Sequence, residues 1–525
     1  MNKSWFVPFL LAAALGLGGC AQRTVHDEPS QALPAEQSSF GRRIQALAQP
    51  HEGRSGFRLL SNSTEAFSAR AELIRMARTS LDLQYYIVHD GLSTRALVEE
   101  LLQAADRGVR IRILLDDTTS DGQDQAIATL AAHPHIQIRL FNPQALGRET
   151  GVTRSVGRLM NLSRQHRRMH NKLWLADNSV GIVGGRNLGD EYFDAEPNLN
   201  FTDIDLLAAG PVAQQLGHSF DQYWNSTLSK PINHFMYFLP GHHDLSKARR
   251  RLASSLEQAH QQHKALYERL MSYRQQPMLP TWLKQLTWAH NQVLWDAPTK
   301  VLAQGEPDPH LLLTTQLAPE LRNVKQELML ISAYFVPGQA GLVYLTGRSD
   351  AGVAVSLLTN SLQATDVPAV HGGYAPYRKA LLQHGVKLFE MRRQPGDPST
   401  YSQSRLFARP SLLTSGSDSS LHSKAMIFDR QKLFVGSFNF DPRSVLWNTE
   451  IGILVDSPPL AEQLRELTLE GMSPQRSYQV RLQNDELVWV TEDNGQIHTL
   501  DKEPGDWWRR FNAWMSKAIG LERML

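Results

Sequence analysis

The chain has 525 residues, too many for one ordinary hydrophobic core, so about two to four domains are expected. Lys and Arg total 54 against 52 for Asp and Glu; a net charge of +2 excludes a global positive field for gripping a polyanion, and any basic surface must be local. The one cysteine, Cys20, excludes a disulfide and a cysteine-bearing metal site in the rest of the chain.

At the N-terminus Lys3 supplies a short positive start, and residues 5–17 form an apolar run too short to span a bilayer comfortably. The run ends in Leu17-Gly18-Gly19-Cys20. Small residues directly before a cysteine resemble the bacterial lipobox, which implies cleavage before Cys20 and lipidation there. Several acyl chains, at roughly 0.8 kcal/mol per buried methylene, would anchor the chain durably. Residues 1–19 are therefore expected to be a lipoprotein signal peptide. Residues 20–50, rich in Gln, Pro, Ser, Glu and Ala at their start, are expected to be a flexible tether.

From Phe57 the pattern changes. "SARAELIRMARTS" has helical periodicity, "LDLQYYIV" is strand-like, "LSTRALVEELLQAADRG" is helical, and "VRIRILLDD" is a buried-strand run. This alternation predicts a parallel sheet with helical crossovers. "IQIRLFN" adds a strand, and a basic loop over residues 148–168 follows. The first domain is placed at 51–230. Residues 231–300 read as a helical connection between domains, because Leu252, Leu256, Ala259, Leu266, Leu270 and Tyr273 form one apolar stripe. The grammar then restarts: "QELMLISAYFV", "SDAGVAVSLLTN" and "HGVKLFEM" answer the strands of the first half, which marks a duplicated domain over 301–473. The remainder, 474–525, reads as a β-hairpin unit and an amphipathic helix with Asp506 at its N-cap.

The duplication extends to chemistry. "HNKLWLADNSVGIVGGRN" carries His170, Lys172, Asp177, Gly184, Gly185 and Asn187, while "HSKAMIFDRQKLFVGSFN" carries His422, Lys424, Asp429, Gly436, Ser437 and Asn439 at identical intervals. On a strand, residues i and i+2 share a face, so each His and Lys would share a pocket. Two such half-sites facing each other would surround a phosphoryl group. One His would attack phosphorus while the other protonates the leaving alkoxide and later deprotonates the acceptor. Lys and Asn would stabilise the non-bridging oxygens, so no cofactor or metal is expected.

Both copies match the HxK-x4-D-x6-G[GS]xN signature and are similar to the phospholipase D superfamily. The resemblance implies a pseudo-twofold, bilobed α/β fold: two phospholipase D-like domains, each a mixed, mainly parallel sheet flanked by helices, with one active site between them. It also implies that Asp177 and Asp429 mainly support local structure, that a separate acid downstream of each motif, Asp203 and Glu450, orients a His, and that His170 is the nucleophile. The layout, including "LWDAPTK" and the tryptophan-bearing C-terminus, resembles the C-type cardiolipin synthases. A phosphatidyltransferase making cardiolipin from phosphatidylglycerol and a second phospholipid is therefore expected. A phospholipase D-type hydrolase and a nuclease or phosphodiesterase are the alternatives, and a non-catalytic scaffold ranks last.

Expected partners are phospholipid substrates and a membrane surface, with no nucleic acid; whether an accessory protein is needed stays open. The lipobox puts the body at the periplasmic face of a bacterial membrane, inner or outer. Arg164, His166, Arg167 and Arg168 either hold anionic headgroups or form a solvated loop. Trp507, Phe511, Trp514 and Ala518, beside Arg509, Arg510 and Lys517, either lie in a bilayer interface or pack onto the second domain. His242, His243 and Asp244 lack metal-ligand spacing, and His260 and His263 are expected on a solvated helix face.

Overall fold

A computed structural model describes residues 29–117, 123–143, 167–197, 199–395 and 418–519. The first copy contains β1 (Ser55–Leu60), β2 (Ser80–Tyr85), β3 (Arg110–Asp116), β4 (Ile136–Phe141), β5 (Leu173–Ala176), β6 (Val180–Gly184), β7 (Leu199–Thr202), β8 (Asp205–Ala209) and β9 (Ser229–Pro231). After β10 (Thr287–Trp295), the second copy contains β11 (Glu327–Ser332), β12 (Ala354–Asn360), β13 (Lys387–Met391), β14 (Gln394–Pro395), β15 (Asp418–Leu421), β16 (Lys424–Phe428), β17 (Lys432–Gly436) and β18 (Ile451–Asp456). β19 (Ser477–Gln483), β20 (Glu486–Asp493) and β21 (Gln496–Leu500) complete the strands.

Pairing runs β9-β4-β3-β2-β5-β6-β8-β1 in the first half and β18-β17-β16-β11-β12-β13-β19-β20-β21 in the second. The sheets are mixed, and their parallel part is narrower than the sequence suggests: within these two sheets, among the described residues, only β2-β3-β4 and β11-β12-β13 run parallel. The parallel strands are those joined by crossovers such as helix Leu92–Asp106, whereas both motifs fold as antiparallel hairpins, β5-β6 and β16-β17.

Alternation of side chains assigns the faces. Leu173 and Leu175 of β5, with Ala425 and Ile427 of β16, enter a core shared by both halves. Their neighbours Trp174 and Ala176 join a core confined to the first half, and Met426 and Phe428 join one in the second. Strands buried on both faces read as continuous apolar runs, which is why the sequence signals them so clearly.

The segment 231–300 departs from the expected helical connection in two ways. Helix His242–Gln262 belongs to the first lobe, where Leu245 and Leu256 enter its core. Beyond it lies β10, a strand the sequence reading missed, which pairs at its start with β1 (Ser55↔Ala289) and over the rest of its length with β18 (His290↔Asp456). β10 therefore joins the two sheets edge to edge. Its polar residues, "HNQ", hid the alternation. A second inter-lobe seam is the parallel pairing of β7 with β15.

The expected tether also ends earlier than residue 50. Helix Ser39–Ala48 is capped by the Ser38 hydroxyl and seats Phe40 and Ile44 in the first core. Ahead of it, Ala32 N donates to Asp221 at 2.8 Å. The C-terminal unit is a three-stranded meander that extends the second sheet through β13-β19, and Asp506 caps the final helix by accepting from Arg509 N at 2.7 Å. Cys20 and residues 148–166 lie outside the described residues.

Relative to a chain beginning at residue 29, one beginning at residue 51 is expected to lose two core side chains worth about 2–5 kcal/mol each. Chemical denaturation of both measures this, and equal midpoints would show that the helix only rests on the surface.

Candidate active site

Each motif hairpin is turned by its aspartate. Asp177 and Asn178 at one hairpin, and Asp429 and Arg430 at the other, adopt φ between 48° and 56°, a left-handed conformation that Asp and Asn tolerate better than most residues. The Asp177 carboxylate accepts from the backbone N–H groups of Arg78, Thr79 and Ser80 at 2.9–3.1 Å and from the Ser38 hydroxyl. Asp429 accepts from Lys325, Gln326 and Glu327 N–H at 2.6–3.1 Å. Both carboxylates fasten their hairpin to the start of β2 or β11.

At the other end of each hairpin the chain is positioned for the histidine. Asp116, the last residue of β3, accepts from Met169 N at 2.9 Å, and Asn360, the last of β12, accepts from Leu421 N at 2.9 Å. Each residue immediately before a motif histidine is thus gripped by the same sheet position in its copy. The histidine itself reaches into the other copy: His170 N donates to Thr449 O and His422 N donates to Thr202 O.

The acids cross over accordingly. His170 Nδ1 lies 2.9 Å from Glu450, and His422 Nδ1 lies 2.7 Å from Asp203. Each acid follows one motif in sequence and serves the histidine of the other. A carboxylate on Nδ1 holds the proton there and leaves Nε2 as the basic nitrogen. All four side chains are buried. Burial, with the positive charges of Lys172, Lys424, His422 and Arg443, pulls His170 well below the usual imidazole range. Burial and Lys424 also lower His422, although Asp203 opposes them.

The two acids differ in affinity for a proton. Burial pushes Glu450 up to about 7, even though Lys172, the Ser437 hydroxyl, Lys300 and the Ser444 hydroxyl pull against it. Asp203 is buried as completely, yet the hydrogen bond from His422 and the charges of His422, Lys424 and Arg186 keep its carboxyl below the usual carboxylate value. The motif position beside each acid also differs, in a direction that narrows this difference rather than creating it. Ser437 Oγ donates to Glu450 at 2.5 Å, whereas a Cβ at the equivalent Gly185 would lie 2.3 Å from an Asp203 oxygen. Only glycine leaves room for the shorter acid.

Lys172 and Lys424 each donate to the carbonyl of the histidine two residues before them, Lys172 at 2.7 Å. Burial lowers both ammonium groups, Lys172 strongly. Asn187 Oδ1 accepts from Ile87 N at 3.2 Å, Asn439 Oδ1 approaches Tyr334 N at 3.5 Å, and Asn187 Nδ2 donates to Tyr192. The asparagines are thus oriented by the end of the neighbouring strand. Aromatic rings that the sequence reading missed flank the imidazoles: Tyr86 stands edge-on to His170, and Tyr192, Phe201 and Tyr334 surround His422. Of the expected basic cluster, Arg167 donates to Val301 O and covers Trp447, and Arg168 lies 3.7 Å from Asp116. Arg164 and His166 lie outside the described residues. Asp244 caps its helix by accepting from Gly241 N, and so works as a cap.

Removing the turn aspartate is expected to be a stability defect. Asp177→Ala strands three backbone donors and should cost about 3 kcal/mol or more, since each unsatisfied buried group costs about 1–3 kcal/mol. A loss below about 1 kcal/mol in chemical denaturation would show that the hairpin holds without it.

Comparison with known proteins agrees with this geometry. The family model described as "Cardiolipin synthase, PLD-like domain" matches twice, over residues 71–224 and 317–469. The chain is 36% identical over 481 residues to cardiolipin synthase C of Escherichia coli, spanning 91% of this chain and 98% of that protein. It is 24% identical over 453 residues to a cardiolipin synthase A of Pseudomonas putida, spanning 85% and 75% of the two chains. The crystal structure of phosphatidylserine synthase from Haemophilus influenzae superposes with a TM-score of 0.54 over 83% of this chain and 92% of that one, at 11% identity, and so shares the fold. With two matched domains covering more than half its length, the chain belongs to the PLD-like domain family of cardiolipin synthases.

Proposed function

We propose that the protein transfers a phosphatidyl group from a donor phospholipid to the free glycerol hydroxyl of phosphatidylglycerol, giving cardiolipin. The observation that carries this reading is the pair of crossed His–carboxylate contacts, which gives two buried imidazoles with Nε2 available and a lysine beside each. His170 is assigned as nucleophile, because its surroundings disfavour protonation most strongly and keep its ring neutral. Its Nε2 forms the bond to phosphorus as the bond to the leaving alkoxide breaks, and His422 donates the proton to that oxygen. Asp203, ionised beside His422, supports the protonated ring. In the second half His422 takes the proton of the incoming glycerol hydroxyl, that oxygen bonds to phosphorus, and the P–N bond breaks. Lys172 and Lys424 stabilise the non-bridging oxygens. The released alcohol is glycerol or ethanolamine, according to the donor. With water as acceptor the same steps give phosphatidic acid.

Such a substrate must be drawn from a bilayer, and a membrane surface is the partner we assign. Among the described residues no helix is long and apolar enough to cross a membrane. Helix Trp507–Ile519 contacts helix Pro368–Tyr374, while Trp507, Trp508, Phe511 and Trp514 are exposed and pack ring against ring in series. Indole rings suit the headgroup level of a bilayer. The helix also adjoins the site: Arg509 donates to Thr365 O, and the next residue, Asp366, accepts from Tyr334, which stands against His422. Anchoring through Cys20 and a periplasmic body complete the reading, on the strength of the lipobox alone.

In a host lacking its own cardiolipin synthases, lipid mass spectrometry is expected to show cardiolipin with the intact protein and none with His170→Ala or His422→Ala. Phosphatidic acid without cardiolipin would make water the acceptor, and unchanged lipids would overturn the lipid reading. The membrane assignment is tested separately with a chain beginning at residue 29. Trp507→Ala/Trp514→Ala should lose flotation with phosphatidylglycerol vesicles and turnover on them, yet keep turnover in detergent micelles. Unchanged flotation would remove the helix from the interface.

A further inference from the structure

The stretch "LWDAPTK" runs from the end of β10, which lies along β18 as β1 lies along β8 in the first copy. Its Asp296 and Lys300 form a fully buried ion pair, Nζ to Oδ2 at 3.0 Å. Burying two charges is costly unless further hydrogen bonds satisfy them, so the remaining partners show what holds the pair in place. The same Asp296 Oδ2 accepts from Glu450 N at 2.8 Å, and Asp296 N donates to Glu450 O at 3.0 Å, so the two backbones are clamped in both directions. Asp296 Oδ1 accepts from Leu313 N at 2.7 Å, and Tyr223 donates to the Asp296 carbonyl at 2.5 Å. Lys300 Nζ donates to Ser444 O at 2.7 Å. Ser444 in turn donates through Oγ to Glu450 Oε1 at 2.9 Å. Both members of the ion pair therefore end on Glu450, one through its backbone and one through the serine that holds its carboxylate.

We infer that Asp296 and Lys300 are positioning residues for the reaction, which fix Glu450 and Ser444 so that the carboxylate holds the His170 ring in register. The other half-site is held differently: Arg186 donates to Asp203 O and pairs with Asp205, which also binds Arg70. The two half-sites are thus braced by different residues, Arg186 and Asp205 around Asp203 and Asp296 and Lys300 around Glu450. This inference rests on the two-histidine reading above and deepens it.

The groups that face Glu450 are His170, Lys172, Lys424, Lys300, Asp296, Asp441, Tyr223, Ser437 and Ser444. Lys300 and Ser444 both favour its ionised form, so removing either shifts its proton affinity upward.

The test compares the full chain with Lys300→Met, an uncharged side chain of similar length, and Ser444→Ala, which removes a hydrogen bond to Glu450 but no charged group. Two readouts are taken: kcat and KM for cardiolipin formation across pH, and the titration of the His170 ring in protein labelled with 15N-histidine. For both variants kcat should fall about 10- to 100-fold, the range for losing a partner that orients a ligand side chain. KM should stay unchanged, the acid limb of the pH profile should move to higher pH, and the His170 resonance should shift. Unchanged kcat and an unchanged His170 titration in the folded variants would overturn the inference. If Lys300→Met fails to fold, Ser444→Ala decides by the same criteria. If the intact protein makes no cardiolipin, the transferase reading fails, and the His170 titration still decides the positioning role.

Discussion

A carboxylate removed entirely from water costs several kcal/mol unless a partner compensates it. Asp203 and Glu450 are both in that position, and each finds its partner in the other copy. Separated from its twin, either copy would hold a buried acid with no imidazole and a histidine with no acid. The interface between the lobes is therefore part of the site's electrostatics, and the seams around it follow the same crossing. β7, which leads to Asp203, pairs with β15, which leads to His422, while Met169 bridges to Thr449 beside Glu450. Strand pairing delivers each acid to the opposite histidine.

The symmetry of the scaffold does not extend to the protons. A glycine beside a short acid and a serine beside a longer one are small differences within the same motif position, Gly185 against Ser437. Yet the Glu450 carboxyl is raised to about 7 while Asp203 is lowered. Group transfer through a covalent intermediate needs one imidazole that is bare and one that can lend a proton, and titratable groups pushed apart by their surroundings mark such a division of labour. In the proposed reaction the duplicated fold would supply the near-twofold cage around the phosphoryl group, and divergence at a few positions the direction of proton flow.

The sequence made the chemistry more legible than the architecture. His170, Lys172, Asn187 and their counterparts could be read directly, because a sparse pattern at fixed spacing, twice over, has few alternative explanations. The strands carrying them were equally clear, since burial on both faces leaves an unbroken apolar run. β10 was hidden because its central residues are polar, although it pairs with an edge strand of each sheet. Helix Ser39–Ala48 was read as tether because Phe40 and Ile44 give only two anchors among Gln, Arg and Ala. The crossing of the acids could not be read at all: spacing along a chain gives proximity within a copy, and only strand pairing between copies shows which histidine each acid meets.

These failures share one cause. Periodicity reports burial within a segment, whereas the features it missed are contacts between segments distant in sequence: β10 against β18, Ser38 against Asp177, and Asp296 against Glu450. Fusing the copies into one chain makes such contacts possible in a way that a symmetric pair of separate subunits does not. A twofold axis would force both half-sites to be backed by the same residues. A single chain can place different residues at equivalent positions, so that the half-site around His170 is braced by Asp296 and Lys300 and the half-site around His422 by Arg186 and Asp205. The unequal bracing of two equivalent histidines is the physical route from a repeated sequence to an ordered two-step reaction.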